Sequence, residues 1–513
     1  MAAAAELLRD EEAQAPARAE DQRDGAFPSR GIGGTLGRMS TQEIDVVVLG
    51  AGPAGENVAD RVVRAGLSVA VVESDRAGGE CSYWACIPSK ALLRPVELRA
   101  AAERMPGVRQ VVDGPVDVDA VLARRDEFVH HFDDSSQADW IGSTGALLLR
   151  GRGRLAGERR VEVDHADGST STLAATRAVV VATGSAPTMP PVDGIDDVGA
   201  WTNREATAAQ RVPGSMIILG GGAVGCELAT AWQRLGSSVT LVQHGERLLP
   251  SMEPSAGDRV LSSLRDDGVD VRLGTSVRAV RREGSTVHAE LDDGASITTD
   301  EFVVAAGRRP GTQGLGLETV GMRDGDVLPV DDTTLVTGVD GDWLYAVGDC
   351  TDRAKLTHMG KYQARACADV LVARAKGETA GLAERYAKTA TTAERTAVTQ
   401  VVFTDPQVAS VGLTEQAARD AGLTVDAVSY DIGATAGGAL QADGYSGLAT
   451  IVVDRERHVI VGATLVGQDV TDMLHAATVM VVGEVPLERL WHAVPAFPTM
   501  SEVWLRLLEA YGL

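Results

Sequence analysis

The chain has 513 residues, 44% of them apolar, and a net charge of -24. That length allows three ordinary domains with a large core. The acidic balance excludes a nucleic-acid surface, which needs basic stripes, and is read as a device for solubility.

Residues 1–42 alternate alanine with charge and then run through Pro28-Ser29-Arg30-Gly31, which predicts a flexible leader without chemistry and leaves Met1 or Met39 as the translation start. Its charged residues, Glu6, Arg9, Asp10, Glu11 and Glu12, occupy the place where a secretory signal would be apolar. Asp45-Val46-Val47-Val48-Leu49 then feeds the turn Gly50-Ala51-Gly52-Pro53-Ala54-Gly55. A helical pattern over 56–65 and a strand over 68–73 complete a βαβ unit. In such a turn one glycine bends the chain, one admits a pyrophosphate and one lets helix pack on strand. The helix start aims free N–H groups at the phosphates. Glu73, about 20 residues on, stands where a carboxylate accepts ribose hydroxyls.

Close behind come Gly78-Gly79-Glu80-Cys81-Ser82-Tyr83-Trp84-Ala85-Cys86-Ile87-Pro88-Ser89-Lys90. Cys81 and Cys86 place a pair of thiols, able to store two electrons as a disulfide, beside a bound dinucleotide. Helical patterns follow over 91–105 and 118–140, and short strands and turns over 146–187. Met216-Ile217-Ile218-Leu219 opens a second unit of the same layout, with the turn Gly220-Gly221-Gly222-Ala223-Val224-Gly225. Its second strand, 238–242, ends in Gln243 instead of an acid. Glutamine tolerates either a free ribose hydroxyl or a 2′-phosphate. His244 and Arg247 either supply positive charge there or are ordinary solvated side chains. The coenzyme is therefore NADPH or NADH.

From Trp343 the pattern is strand, loop and long helix. After Thr391 strands are expected around 400–403, 449–453 and 459–461, with helices over 472–482 and 501–509, which suggests an α+β module. No apolar run reaches the length of a membrane span. The five cysteines are too few for a structural disulfide framework, so the expected compartment is the cytoplasm and a disulfide there would be catalytic. Cys226, Cys350 and Cys367 read as packed, inert thiols. No metal site is expected.

Taken together, these motifs resemble the FAD-dependent pyridine nucleotide–disulfide oxidoreductases, the group of dihydrolipoamide dehydrogenase, glutathione reductase and mercuric reductase. The resemblance covers nearly everything after residue 42. It includes Ala182-Thr183-Gly184-Ser185 as a crossover, Ala305-Ala306-Gly307-Arg308-Arg309-Pro310 as the return from the nicotinamide domain, Tyr345-Ala346-Val347-Gly348-Asp349 as a second flavin motif, and Lys355-Leu356-Thr357-His358 along the flavin. Phe403-Thr404-Asp405-Pro406 and Val411-Gly412-Leu413-Thr414-Glu415 resemble the opening of the family's dimerisation domain.

The resemblance implies an α/β fold with two Rossmann-like domains and a C-terminal α+β dimerisation domain. The FAD-binding domain would span 43–190 and 313–388, the NAD(P)-binding domain 191–312 and the dimerisation domain 389–513. It implies FAD contacts from Gly50, Gly52, Pro53, Ala54, Gly55, Glu73, Ser74, Gly79, Glu80, Lys90, Gly153, Thr183, Gly184, Ser185, Gly348, Asp349, Leu356, Thr357 and His358. NAD(P) contacts would come from Gly220, Gly222, Ala223, Val224, Gly225, Gln243, His244, Arg247 and Gly307. Cys86 would be the charge-transfer thiol, Cys81 the interchange thiol, and Lys90 an ion-pair partner of Glu227 beside flavin N5. The implied activity is a homodimeric enzyme passing electrons from NAD(P)H through FAD and the Cys81–Cys86 disulfide to a disulfide or other small acceptor. The alternatives are a quinone-type or diffusible acceptor reduced directly at the flavin, and a flavin redox sensor without turnover.

Three departures stand out. Phe497 occupies the position of the family's proton-shuttling histidine, and phenylalanine transfers no proton. Glu502, the acid that follows it, is left to act as a base, hold water or simply cap and pack, while His492 reads as an interface histidine. Tyr83 and Trp84 replace smaller side chains and either pack as core or present a flat surface to an aromatic acceptor. Ala223 stands where many relatives place a gating tyrosine. Mercuric reductases also lack the histidine but add a C-terminal cysteine pair, whereas this chain has no cysteine after Cys367.

Overall fold

In the computed structural model, the structure describes residues 41–513; the expected leader lies outside the described residues except at its end, where Gln42 opens the first strand. Strand β1 (Gln42–Leu49), helix α1 (Pro53–Arg64) and strand β2 (Val69–Glu73) form the first βαβ unit. Strands β3 (Leu147–Arg150), β4 (Arg152–Leu155), β5 (Arg160–Asp164) and β6 (Thr170–Val181) complete a sheet in the order β3-β2-β1-β6-β5-β4. The β1, β2, β3 and β6 contacts are parallel, and β4 and β5 are added antiparallel. Both faces are covered: Val47, Leu49, Val179 and Val181 enter one core, Val46, Val48, Val71 and Val180 another. That double burial is why these strands read as unbroken apolar runs.

Helix α2 (Cys86–Glu103) starts five residues earlier than its pattern suggested. The expected helix over 118–140 is instead two, Val118–Phe128 and Ser135–Thr144. Between them His130, His131 and Phe132 all hold left-handed φ values of 49°, 52° and 61°, which no continuous right-handed helix tolerates.

The second unit repeats the design. Strands β7 (Ser215–Leu219), β8 (Ser238–Val242), β9 (Asp270–Arg272) and β10 (Glu301–Val304) form a parallel sheet in the order β9-β8-β7-β10, with helix α3 (Ala223–Arg234) after β7. Strand β11 (Leu344–Ala346) returns to pair in parallel with β6, and helix α4 (Thr357–Ala375) lies against α1.

The C-terminal module is a five-stranded antiparallel sheet of β12 (Thr399–Val402), β13 (Gln407–Gly412), β14 (Val425–Asp431), β15 (Leu448–Asp454) and β16 (Val459–Gly467), ordered β12-β13-β16-β15-β14. Helices α5 (Leu474–Val482) and α6 (Glu502–Tyr511) pack on it. Strands β13 and β14 were not legible in advance; β14 buries only its first residue and then alternates half-buried with exposed positions. Among the described residues no helix is long and apolar enough to cross a membrane.

Candidate active site

The two glycine turns are near copies in space. Gly50 and Gly220 have φ of 105° and 118°, and a Cβ on either would lie 2.4 Å from the carbonyl oxygen of Ala182 or Ala305 on the neighbouring strand. A Cβ on Gly55 would lie 2.0 Å from Gly50 O, and one on Gly225 1.8 Å from Gly220 O. Helix and strand therefore touch backbone to backbone in both units. Neither helix start is capped by a side chain, so the N–H groups of its first turn remain available to a ligand.

A cavity of about 770 Å³ runs over the first turn. Of the expected flavin contacts, Gly50, Gly52, Pro53, Ala54, Glu73, Ser74, Gly79, Glu80, Gly153, Thr183, Gly184, Ser185, Gly348, Asp349, Leu356 and Thr357 line it, together with Cys81. Glu73 accepts from Ala51 N–H at 2.7 Å and Asp75 N–H at 2.7 Å. Burial raises its carboxyl, and those two bonds work against the rise. Asp349 accepts from the Ser185 hydroxyl at 2.6 Å. Three expected contacts are not in the wall. Gly55 is spent on packing against Gly50. Lys90 lies beyond the wall on α2. His358 is also outside it, its ring turned to β12 with Nε2 2.8 Å from Thr399 O.

Cys81 sits in the short helix Gly79–Tyr83 and Cys86 is the first residue of α2; both are half-buried thiols. Cys81 is in the cavity wall, while Cys86 reaches it through Thr357, whose hydroxyl is 3.3 Å from Cys86 Sγ. Proximity to the wall does not rank the two sulfurs; electrostatics does. The hydrogen bond from Cys81 pulls Cys86 down to about 6, helped by Thr357 and Lys90 against burial. The same bond, with burial, pushes Cys81 far up. Cys86 also opens a helix, where the dipole favours a thiolate. These contacts favour the thiolate on Cys86 and the thiol on Cys81.

Lys90 Nζ donates to Glu227 Oε2 at 2.6 Å, and Glu227 Oε1 accepts from Phe403 N–H at 3.0 Å. The ammonium also lies 4.8 Å from the Phe403 ring centre. One ion pair therefore joins α2, α3 and the segment after β12.

In the second unit Gln243 Oε1 accepts from Gly221 N–H at 2.8 Å, the counterpart of the Glu73–Ala51 bond, and leaves its NH₂ group near Arg247 O at 3.4 Å. His244 Nδ1 is 2.8 Å from Ser276 Oγ, and Arg247 donates to Pro250 O at 2.9 Å. Gly222 caps α3, a Cβ there meeting open space; Ala223 and Val224 form the first turn, with Val224 exposed. Gly307 O accepts from Thr188 N–H at 2.9 Å at the return crossover.

Glu502 is not brought to the dithiol within this subunit. It opens α6, its Oε1 accepts from Arg506 at 2.6 Å, and its Oε2 is buried without a partner. Phe497 is 77% exposed, and His492 is exposed. Tyr83 is core, as the first of the two readings held. Cys226, Cys350 and Cys367 are buried and burial raises all three thiols.

Sequence reading missed several residues of the site. Arg308 donates to Ser185 Oγ at 2.7 Å and lies 3.3 Å from Glu80; it was quoted within the return motif without a role. Asn203 and Arg204 also bind Glu80, and nothing in the local sequence announces that. Glu56, in the first turn of α1, is buried, and burial pushes it up to about 7.

The fold and this site define an oxidoreductase that uses a dinucleotide-fed dithiol. Residues 44–364 match the pyridine nucleotide-disulphide oxidoreductase family and residues 398–507 its dimerisation domain. The chain belongs to that family of FAD- and NAD(P)H-dependent oxidoreductases. It is 35% identical over 315 residues to a mercuric reductase of Streptomyces lividans, covering 60% of this chain and 65% of that protein, just under two thirds of its length. It is 34% identical over 352 residues to dihydrolipoyl dehydrogenase 3 of Pseudomonas aeruginosa, covering 65% and 72%. A dihydrolipoyl dehydrogenase 3 of Haloarcula marismortui is 30% identical over 90% of this chain and 95% of its own. Among solved structures, the HOCl-induced flavoprotein disulfide reductase RclA of Escherichia coli, in a Cu(II) complex, shares the fold with a TM-score of 0.78 at 24% identity, over 92% and 99% of the two chains.

FAD fits the first unit. The cavity joins the acid at the end of β2, an uncapped helix start, the Ser185–Asp349 pair and Cys81 in one continuous wall.

Proposed function

We propose that the protein is a homodimeric disulfide reductase in which 43–190 and 313–388 hold FAD, 191–312 binds NAD(P)H, and 389–513 pairs two copies. FAD held there would supply two-electron transfer from NAD(P)H to the Cys81–Cys86 disulfide. Cleavage of that disulfide takes up one proton and leaves Cys86 as thiolate and Cys81 as thiol. The observation that carries the reading is geometric: Cys81 and Thr357 share the cavity wall, Thr357 Oγ1 lies 3.3 Å from Cys86 Sγ, and Lys90 on the same helix is held by Glu227.

The acceptor step follows from it. Cys81 gives its proton to Cys86 along the bond they share and attacks an acceptor disulfide, forming a mixed disulfide and releasing one thiolate. That leaving thiolate takes the proton from Cys86. Cys86 then attacks Cys81 Sγ, releases the second thiolate and restores the disulfide. The route needs no residue at position 497, and it favours acceptors whose thiols are acidic, because these leave fastest. Hg(II) reduction is disfavoured, since no cysteine follows Cys367.

Anaerobic reduction with NADPH or NADH tests this. A long-wavelength absorption band should appear and be absent in Cys86→Ser. Dithiobis-nitrobenzoate should then be reduced, and Cys81→Ser should abolish that turnover. Full turnover in Cys81→Ser would instead favour the second reading, reduction of a quinone-type acceptor directly at the flavin. That reading draws support from Phe497, which offers no proton transfer.

A further inference from the structure

The segment between the two cysteines is gripped from outside by one helical turn. Glu80 directly precedes Cys81, and its Oε1 accepts from Arg204 Nε at 2.6 Å while its Oε2 accepts from Asn203 Nδ2 at 2.9 Å. Trp84 lies two residues before Cys86, and its carbonyl accepts from the same Asn203 Nδ2 at 2.7 Å and from Thr207 Oγ1 at 3.1 Å. The Arg204 guanidinium also lies 5.3 Å from the Trp84 ring centre. Arg308 braces the arrangement, donating to Asn203 Oδ1 at 3.2 Å.

The gripping helix, Asn203–Ala208, is itself held rigid. A capping box closes its start, with Thr202 N–H donating to Glu205 at 2.7 Å. Buried Arg125 donates to the carbonyls of Thr207 and Ala209 at its end. Trp84 stacks on Phe132, the ring centres 5.0 Å apart. Phe132 belongs to the left-handed run 130–132, a backbone state that surrounding contacts must enforce. Upstream, Trp201 N–H donates to Phe302 O and Val304 N–H to Trp201 O, both at 2.8 Å, so the helix is fastened to strand β10 of the second unit.

We propose that Asn203 and Arg204 are positioning residues that set the redox poise of the Cys81–Cys86 pair from the coenzyme unit. The proposal rests on the dithiol reading above. Forming the disulfide needs Cys81 and Cys86 to adopt one specific mutual geometry. Glu80 and Trp84 bracket the short helix that must adjust, so the grip on both residues limits how that helix moves between dithiol and disulfide. Releasing it removes that restraint and shifts the balance between the two states.

The FAD-loaded enzyme is equilibrated in buffers of reduced and oxidised dithiothreitol, quenched with a maleimide, and the mass shift read. The reaction followed is protein dithiol plus oxidised dithiothreitol giving protein disulfide plus reduced dithiothreitol. Asn203→Ala and Arg204→Met are expected to shift this equilibrium by about tenfold, equivalent to about 30 mV for two electrons. Arg204→Lys, which keeps the charge at Glu80, should stay closer to the parent. Should Arg204→Met fail to retain FAD, Asn203→Ala decides alone. Equilibria within about threefold of the parent overturn the proposal. A parent protein whose pair does not titrate at all overturns the dithiol reading first, and the proposal with it.

Discussion

Lys90 on the dithiol helix and Glu227 on the helix of the second nucleotide unit meet at 2.6 Å, although 137 residues separate them in the chain. Glu227 is buried and spends its other oxygen on Phe403 N–H, so the acid is fixed and the lysine is fixed by it. A cation held in this way next to a dithiol favours the thiolate. Glu227→Leu leaves the lysine without its partner. Because Lys90 is about one third exposed, the stability loss is expected to be about 1–2 kcal/mol instead of the larger cost of a fully buried orphan charge. Reduction of the disulfide by NAD(P)H should slow about tenfold, corresponding to about 1.4 kcal/mol. Denaturant titration and stopped-flow absorbance check the two effects, and unchanged rates would remove the pair from the mechanism.

The thiolate on Cys86 makes a pH prediction. Its folded value is lowered from an ordinary 9.0 to about 6, first by the bond from Cys81. A lowered acid stabilises the folded, reduced protein fully above the unfolded value near pH 9, and that contribution falls away as pH drops toward 6. The long-wavelength band of the reduced enzyme should therefore persist at pH 7 and decline with a midpoint near pH 6. Thr357→Val removes one contributor and should move the midpoint upward. A midpoint at pH 8 or above in the parent would contradict the assigned charge.

The paired glycine turns predict separable losses. In Gly55→Ala the added carbon would lie 2.0 Å from Gly50 O, and in Gly225→Ala 1.8 Å from Gly220 O. Overpacking of this kind costs about 1–3 kcal/mol, or roughly 5- to 140-fold in affinity. Gly55→Ala should purify with little or no FAD. Gly225→Ala should retain its yellow colour yet bind NADPH and NADH weakly, as read by equilibrium titration. Loss of FAD in both would mean that the two turns do not serve two separate nucleotides.

Phe497 offers a gain-of-function test. It is exposed at the start of the segment that leads into α6, and Glu502 behind it has one buried oxygen without a partner. A histidine at 497 would restore the acid–base residue of the relatives, and positioned acid–base groups contribute about 10²–10⁴-fold. Phe497→His is expected to raise reduction of lipoamide at least about tenfold at neutral pH. Phe497→Ala is the control and should not. Equal rates in all three proteins would show that this position does not limit the acceptor step.

Much of the site was legible because its pieces are local. Each glycine turn, its flanking strands and the residue at the end of the second strand lie within one short stretch, so the pattern itself encodes the geometry. The Lys90–Glu227 pair became legible only through family resemblance, since neither residue is unusual in its own helix. The side-chain direction of His358 was not legible either. That residue stands beside Leu356 and Thr357, which do line the cavity, but one further step around the first turn of α4 points it to Thr399. The broken helix at 130–132 was hidden because its apolar pattern continues across the break.

The chain by itself determined the repeated βαβ units, the dithiol beside the first of them and the absence of a proton-transferring side chain at 497. These are properties of residue type and short spacing, and short-range sterics enforce them whatever surrounds the segment. Only the tertiary structure decided that Asn203, Arg204 and Arg308 converge on Glu80 and that Glu227 spends its second oxygen on Phe403 N–H. Hydrogen bonds and ion pairs between distant segments depend on how whole sheets and helices pack, and that packing brings side chains from far along the chain within bonding reach of one another.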